Sequence, residues 1–181
     1  MVAACTTTPV LTEVKYAVDL HSPFYALDSW QFEGRAAVKS ASDSGNFDIV
    51  WRHKSDEDSL HLSGFLGQGA VAIKVAGDRI EIDRGDGHPE ISDRPDELLE
   101  RQLGFSVPVG ALRYWVLGLP RAQEYFEPDV DGFRQGGWTV RYSQWMKAAG
   151  HDMPRKIAVN NEKLKLKLVI DQWVLSHESA Q

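Results

Sequence analysis

The strongest constraint on the fold is a strict alternation of apolar and charged side chains near the C-terminus, in the stretch KLKLKLVID. Its two alternating sets are Leu164, Leu166, Leu168 and Ile170 on one side and Lys163, Lys165 and Lys167 on the other. Because successive side chains of a β-strand point to opposite faces, this pattern predicts a strand with one buried and one solvated face. The lysine row is most simply a solvated face, and it also suits an anionic partner.

The same period of two recurs along most of the chain and predicts about eight strands. The alternating stretches are residues 30–39, 47–52, 59–63, 71–75, 79–83, 138–143, 157–160 and 163–170. Short connections such as SDSGN, AGD and RGDG contain the glycine and aspartate of tight turns, so they favour antiparallel neighbours over crossover units. We therefore expect a long, one-sided and strongly curved antiparallel sheet.

A helix is predicted between the two sets of strands, in the stretch RPDELLERQLG. Asp93 is placed as its N-cap, Pro95 in its first turn and Gly104 at its C-cap. A second helix is predicted in the stretch PVGALRYWVLGLP, and a third amphipathic candidate spans residues 11–20. For the second helix, the start and stop signals are Ser106 and Pro108, then Gly118 and Pro120.

The apolar side of such a sheet is too large for these helices to cover, since about eight strands face two or three short helices. A closed barrel would fill its own interior with the inward side chains. An unclosed barrel with helices as a plug or lid would leave an apolar cavity instead. Most apolar faces are simply core, so the residues by themselves favour a packed interior.

Composition limits the class of protein. The chain has 181 residues, of which 43% are apolar and 25% charged, as expected for a folded globular protein. We expect a single domain over residues 11–181, preceded by a flexible tether over residues 1–10. The net charge of -6 provides no broad electrostatic attraction for nucleic acid. Because no apolar run reaches the roughly 18 residues of a membrane-spanning helix, contact with a membrane must be peripheral or through an anchor.

Catalytic and metal-binding motifs are missing from the sequence. The six histidines form no H-E-x-x-H pair and have no ligand-spaced cysteines beside them. Asp86, His88 and Glu90 lie close together in DGHPE, but the glycine and proline of that stretch indicate a polar turn rather than a metal site. No G-x-S-x-G and no phosphate-binding glycine loop is present. We expect neither an enzyme nor a bound cofactor.

The single cysteine, Cys5, follows the small and aliphatic residues Val2, Ala3 and Ala4. The stretch VAAC resembles the end of a bacterial lipoprotein signal, in which the cysteine becomes the lipid-modified first residue. The basic and apolar regions of such a signal do not precede it, so we expect most of the signal to be absent and Met1 to be a non-native start. A free cysteine on a terminal segment is an equal alternative.

The stretch LSGFLGQGA places two bulky apolar residues, Phe65 and Leu66, in a bend flanked by Gly64, Gly67 and Gly69. Glycine-rich turns usually lie in water because glycine adopts positive φ freely. The apolar pair must therefore either fold back onto the core or contact an apolar partner outside the protein.

Several blocks of the chain, taken in order, resemble the LolB family of outer-membrane lipoproteins. They are GRAAVKSASDSGNFDIVWRH, LHLSGFLGQGAVAIKV, LGFSVPVGALRYWVLGLP, GGWTVRYSQWM and LKLKLVIDQWVL. The resemblance implies a mainly β (α+β) fold: a single unclosed antiparallel β-barrel whose hydrophobic concave face is covered by a lid of short helices. It also implies a monomer on the periplasmic face of the bacterial outer membrane, lipid-anchored through Cys5. Thr6 after that cysteine fits sorting to the outer membrane.

The resemblance also implies that this chain does what members of the family do. A LolA-like periplasmic carrier hands over lipoproteins, their acyl chains enter the hydrophobic cavity, and they are then inserted into the outer membrane without covalent chemistry. The family has a protruding loop whose exposed leucine is needed for insertion, and Leu66 and Gly67 occupy the leucine and glycine positions. Phe65 replaces the family's usual proline, which adds apolar bulk and removes a rigid φ.

The alternation then identifies the residues expected to line the acyl-chain cavity. From the strands these are Phe32, Val38, Ile49, Trp51, Leu60, Leu62, Ile73, Ile80, Ile82, Trp138, Val140, Leu164, Leu166 and Leu168. From the lid they are Leu112, Trp115 and Val116. Two other classes of protein stay open: a carrier or sensor of a free lipid or another apolar ligand, and a lipid-anchored periplasmic scaffold with a packed core.

Overall fold

The computed structural model describes residues 16–41, 44–64 and 69–176. Within these residues, eleven strands form one antiparallel sheet in the order β6-β5-β4-β3-β2-β1-β11-β10-β9-β8-β7. The strands are β1 (Ser29–Ser40), β2 (Ser44–Lys54), β3 (Glu57–Ser63), β4 (Val71–Ala76), β5 (Arg79–Asp83), β6 (Glu90–Ser92), β7 (Phe126–Asp129), β8 (Gly132–Gln135), β9 (Trp138–Ala148), β10 (His151–Asn160) and β11 (Leu164–Ser176). Nearly every strand pairs with its sequence neighbours, as expected when tight turns connect antiparallel strands.

The sheet is an unclosed barrel, because β6 and β7 lie at its two ends and do not pair with each other among the described residues. These edge strands have only three and four residues, which limits the row of unpaired backbone groups that an open edge exposes. The predicted fold class, an unclosed antiparallel barrel with a few short helices, is confirmed.

The two halves of the chain meet where β1 pairs with β11. β1 also pairs with β2, so it lies at the centre of the sheet. The register on β11 shifts between Glu33 and Gly34, which marks a β-bulge. A side chain at Gly34 would overlap the carbonyl oxygen of Val169, so only glycine allows the two backbones to approach this closely.

The described helices are short. They are α1 (Val18–His21), α2 (Pro95–Leu103) and α3 (Val109–Trp115), and a 3₁₀-helix over Ser22–Ala26 follows α1. α2 and α3 lie in the connection between β6 and β7, and their apolar faces cover the concave side of the sheet. The core is therefore a layer between the curved sheet and these helices.

Three strands are not anticipated by the alternation. β6, β7 and β8 have three or four residues each, which is too few for a period of two to be recognised. Glu90 is expected in a polar turn but is the first residue of β6. The turn lies just before it, where the carboxylates of Asp83 and Asp86 accept hydrogen bonds from backbone N–H groups two residues further on.

The helix bounds also differ from the predictions. The N-cap of α2 is Arg94, not Asp93, because a residue before proline avoids the helical conformation and Pro95 then takes the first helical position. The C-cap prediction is confirmed, since Gly104 has a left-handed φ of 78°. α3 ends at Trp115, and the chain reaches the predicted stop at Gly118 through a turn. Of the candidate helix over 11–20, the described part becomes helical only from Val18.

Candidate functional site: an apolar cavity under a helical lid

The residues expected to point inward from the strands do so. All are buried except Trp138, which is half-buried and packs its ring 6.1 Å from that of Trp115 in α3. The full set is Phe32, Val38, Ile49, Trp51, Leu60, Leu62, Ile73, Ile80, Ile82, Trp138, Val140, Leu164, Leu166 and Leu168. For the eight predicted strands, the face turned to the core is therefore confirmed.

The lid lies over this face. Leu112, Trp115 and Val116, which were expected on its underside, are buried against the sheet. α2 adds Leu99 and Leu103 from its own apolar side. A helix of this length is stable here because its apolar stripe is buried, rather than through its intrinsic propensity.

A narrow cavity of about 50 Å³ remains between the sheet and the lid. Of the residues expected to line an acyl-chain site, eight contact this space: Ile49, Trp51, Leu60, Leu62, Ile73, Leu112, Leu166 and Leu168. Seven others that line it were not among the expected residues: Ala36, Phe47, Leu99, Leu103, Phe105, Val107 and Val109. Ala36 and Phe47 lie in the inward phase of predicted strands, so the alternation indicates their direction but not their contact with open space. Five of those seven belong to α2, to the connector 104–108 or to the start of α3. In these segments the spacing of apolar residues along a helix, and not the alternation of a strand, indicates which side chains face the sheet.

The remaining expected residues do not reach the cavity. These are Phe32, Val38, Ile80, Ile82, Trp138, Val140, Leu164, Trp115 and Val116. They are packed in the core instead; for example, the rings of Trp115 and Trp138 lie 6.1 Å apart. The interior is thus mostly filled, and the open space is limited to the region under α2 and the connector.

A buried polar cluster borders the cavity. The indole ring of Trp51 lines the cavity, while its Nε1 donates a hydrogen bond of 2.9 Å to Asp58 Oδ1. His53 Nδ1 lies 2.9 Å from the same oxygen, and Arg113 of α3 places Nη1 3.6 Å from Asp58 Oδ2. Because a buried carboxylate needs partners to compensate for lost hydration, this cluster ties α3 to β3.

The sequence carries a signal for this cluster. Asp58 lies two residues before Leu60 and His53 two residues after Trp51, so both occupy the inward phase of their strands. A charged residue in the inward phase requires a buried partner, and the alternation shows where to look for one.

The C-terminal end of α3 is held by a second buried group, Gln135 of β8. Its Oε1 accepts a hydrogen bond of 2.9 Å from Trp115 Nε1 and one of 2.7 Å from the backbone N–H of Arg121. Its Nε2 donates to the carbonyl of Arg121 at 3.0 Å. These bonds attach the exit from α3 firmly to the sheet.

Tyrosines fix the same end of the lid. Tyr142 donates its hydroxyl to the carbonyl of Trp115 at 2.7 Å, and Tyr16 donates to the carbonyl of Gly118 at 2.9 Å. Burial raises the pKa of both phenols, so they stay neutral donors. Nearby, burial lowers the pKa of His21, whose ring stacks 4.6 Å from Trp145.

The α2 side of the lid is held differently. Its polar contacts to the sheet are at the surface, where Arg101 pairs with Glu90 at 3.0 Å and Gln102 donates to the same carboxylate. Exposed ion pairs contribute little to stability. Under α2 the contacts are apolar, so this side of the lid depends on hydrophobic burial.

The expected insertion loop and lipidation site lie outside the described residues. Phe65, Leu66 and Gly67 fall between residues 64 and 69, and Cys5 precedes residue 16, as does the expected domain boundary after residue 10. The last described residue before the loop, Gly64, is exposed and has a φ of +76°.

Across residues 16–41, 44–64 and 69–176, no three acidic, histidine or cysteine side chains lie close enough together to hold a metal ion. Within the same ranges, none of the helices is long and apolar enough to cross a membrane.

Comparisons with known proteins agree on one family. The family described as "Outer membrane lipoprotein LolB" matches residues 28–173. The outer-membrane lipoprotein LolB of Chromohalobacter salexigens is 34% identical over 155 residues, covering 82% of this chain and 72% of that relative. The LolB protein of Pseudomonas fluorescens is 32% identical, covering 82% of this chain and 75% of the relative.

A solved structure with a similar fold is a LolA superfamily protein from Nitrosomonas europaea. It superimposes with a TM-score of 0.57 and 9% identity, covering 87% of this chain and 90% of that protein. At this identity the match concerns the fold alone.

Proposed function

This chain belongs to the LolB family of outer-membrane lipoproteins, and from that premise we propose that it receives lipoproteins from a LolA-like periplasmic carrier and inserts them into the outer membrane. The acyl chains of the cargo bind between the concave face of the sheet and the lid. The protein acts at the periplasmic face of the outer membrane, where a lipid on Cys5 anchors it.

The observation that carries this proposal is the cavity lined entirely by apolar side chains, between a one-sided sheet and a separate lid. Such a lining suits a hydrocarbon chain, because each methylene moved out of water contributes about 0.8 kcal/mol. The same lining offers no polar group to orient a head group, which fits cargo recognised by its acyl chains.

The cavity of about 50 Å³ is much smaller than the roughly 300 to 1,000 Å³ of ordinary ligand sites. Acyl chains therefore enter only when part of the lid moves. Gln135 and Tyr142 hold the exit from α3, whereas α2 is held mainly by apolar contacts that an acyl chain can replace. We infer that α2 and the connector 104–108 move outward while the end of α3 stays in place.

Transfer needs no chemical step on this protein. The cargo moves according to its relative affinities for the carrier, this protein and the bilayer. When the lid closes, α2 buries its own leucines again. The free energy gained by this burial offsets part of the free energy lost when the acyl chains leave the cavity. The lid thereby keeps the affinity moderate enough for release.

Delivery requires contact with the bilayer, for which Phe65 and Leu66 are the candidates. Burial of a large apolar side chain contributes about 1.5 to 3 kcal/mol, so the pair gives a reversible contact. β3 ends at Ser63, and both Ser63 and Gly64 are exposed, so the loop that follows starts at the surface.

The experiment follows an acylated lipoprotein from the carrier to this protein and then to vesicles. The full chain is expected to accept the cargo and deliver it. Leu66→Glu should still accept it, because the cavity is unchanged, but should deliver it about tenfold to hundredfold less well, because the apolar contact is lost. Acceptance is measured by co-purification and delivery by cosedimentation with the vesicles.

The matched control is Val130→Glu, which places the same charge at an exposed apolar residue, 73% accessible in the turn between β7 and β8. This variant should deliver normally. Equal delivery by both variants would contradict the role of Leu66. A chain that binds a free fatty acid but accepts no lipoprotein would be a simple lipid carrier, and one that binds neither would be a scaffold.

A further inference from the structure

Three exposed lysines, Lys39, Lys165 and Lys167, form a cluster on the outer face of the sheet, opposite the cavity. Lys39 of β1 lies directly across from Lys165 of β11, and Lys167 lies two residues further along β11 on the same face. In its row across the sheet, Lys167 stands between Ala37 and Ala158, whose short side chains leave the ammonium group uncovered. We call these three residues the lysine cluster.

Among the described residues, no acidic residue stands directly beside the cluster in these two rows of the sheet; the carboxylates of the same rows, Glu127 and Asp129, lie on the edge strand β7. The strand positions beside the cluster are Ser44, Asn46, Ala37, Ala158 and Asn160. Among the described residues, none of the three lysines pairs with a carboxylate, whereas the neighbouring Arg35 binds Asp171 at 3.0 Å. A local excess of positive charge is notable in a chain whose net charge is -6.

The arrangement carries a cost in stability. Like charges placed directly opposite each other on two antiparallel strands destabilise the pair. Lys39 and Lys165 are in this position at the junction of the two halves of the chain. Folding alone does not explain a repulsive pair there, whereas a negatively charged partner does.

The lysine cluster lies at the same end of the barrel as the exit from β3. Lys167, Ser63 and Gly64 line a single groove of about 720 Å³, whose other charged residues are Arg35, Asp48 and Lys156. Gly64 is the residue from which the loop containing Leu66 departs. A bilayer that receives this loop would lie against the same end of the molecule.

We propose that the lysine cluster binds the phosphate groups of anionic phospholipids on the membrane surface. The inference rests on the proposed function, because contact by Leu66 decides which end of the barrel approaches the bilayer. The three ammonium groups attract the head groups, and the proposed contact by Leu66 adds an attraction to the acyl region. Because the cluster is on the outer face, the membrane holds the protein without covering α2, and the lid stays free to move.

The test measures binding of the full chain, with Cys5 unacylated and no cargo present, to vesicles of phosphatidylcholine with or without phosphatidylglycerol. The variant is Lys39→Gln/Lys165→Gln/Lys167→Gln. At low salt it should bind the phosphatidylglycerol vesicles about a hundredfold less tightly than the wild type, at roughly fivefold per lysine. Binding to neutral vesicles should be the same for both proteins, and the difference should disappear at about 1 M salt.

The control is Lys54→Gln/Lys74→Gln/Lys147→Gln, which changes the net charge equally. Lys54 lies at the far end of β2 opposite Ser29, while Lys74 and Lys147 have ion-pair partners of their own. This control should bind the anionic vesicles like the wild type. An equal loss in the control would overturn the proposal, because it would show a response to net charge alone.

Unchanged vesicle binding by the cluster variant would also overturn the proposal. If that variant binds vesicles normally but no longer accepts cargo from the carrier, the lysine cluster contacts a protein instead of the membrane. The thermal unfolding midpoint verifies folding and should be unchanged or higher, because the repulsive pair is removed. Vesicle binding is measured without cargo. Failure of this proposal is therefore distinguished from failure of the proposed function, which is measured by lipoprotein transfer.

Discussion

Asp58 illustrates how much a single residue contributes to the closed lid. Its side chain is only 1% exposed, and it is the shared partner of Trp51, His53 and Arg113. Replacing Asp58 by Asn keeps an acceptor for the indole but removes the charge that faces Arg113. We expect a loss of about 1.5 to 3 kcal/mol in the free energy of unfolding, measured by urea denaturation.

Asp56→Asn is the matched control, since Asp56 lies exposed in the turn just before β3. It should change the free energy of unfolding by less than about 0.5 kcal/mol. Equal effects of the two substitutions would show that the buried cluster does not stabilise the fold.

Among the elements, the pairing of β1 with β11 is the most demanding because it joins the two halves of the chain. Gly34 lies at its bulge, with the Val169 carbonyl where a side chain would be. Gly34→Ala must push two backbones apart, so it should destabilise the protein by about 1 to 3 kcal/mol in the same urea experiment.

Gly110→Ala provides the contrast within the lid. Gly110 lies in α3 with open space where its side chain would be. Alanine is the better helix former, so this variant should be as stable as the wild type or up to about 1 kcal/mol more stable. If Gly34→Ala were equally harmless, the close approach at the bulge would not matter to the fold.

For the whole molecule, the unequal attachment of the lid predicts unequal motion. Amide hydrogen exchange of residues 96–107, in α2 and the connector, should be on the order of tenfold or more faster than that of residues 112–119. Local opening of α2 exposes a few leucines, whereas release of α3 must also break the hydrogen bonds to Gln135 and Tyr142. Mass spectrometry of peptides from the two segments measures this difference.

Equal protection of the two segments would mean that the lid opens only with the whole domain. Acyl chains would then need another route into the cavity. Faster exchange confined to residues 96–107 would instead agree with entry under α2.

Local patterns in the sequence account for the parts of the structure that depend on neighbours along the chain. The alternation correctly assigns the buried face of each long strand, from Phe32 to Ile170, since the period of two is a property of the extended backbone. Gly104 was recognisable as a helix end because a left-handed φ suits glycine. The family was identified from the resemblance of whole sequence blocks. The spacing of short motifs alone did not identify it.

Other features depend on contacts between distant parts of the chain. That Lys39 faces Lys165 follows from the register of β1 on β11, and that Asp58 meets Arg113 follows from the docking of α3. The size of the cavity was decided in the same way, because it is the space left after α2 and α3 settle on the sheet. Local periodicity therefore predicts which side chains of the long strands are buried, because the period of two follows from the extended backbone. Which of these side chains surround open space follows from the docking of α2 and α3, because packing depends on the shapes of surfaces brought together from far apart.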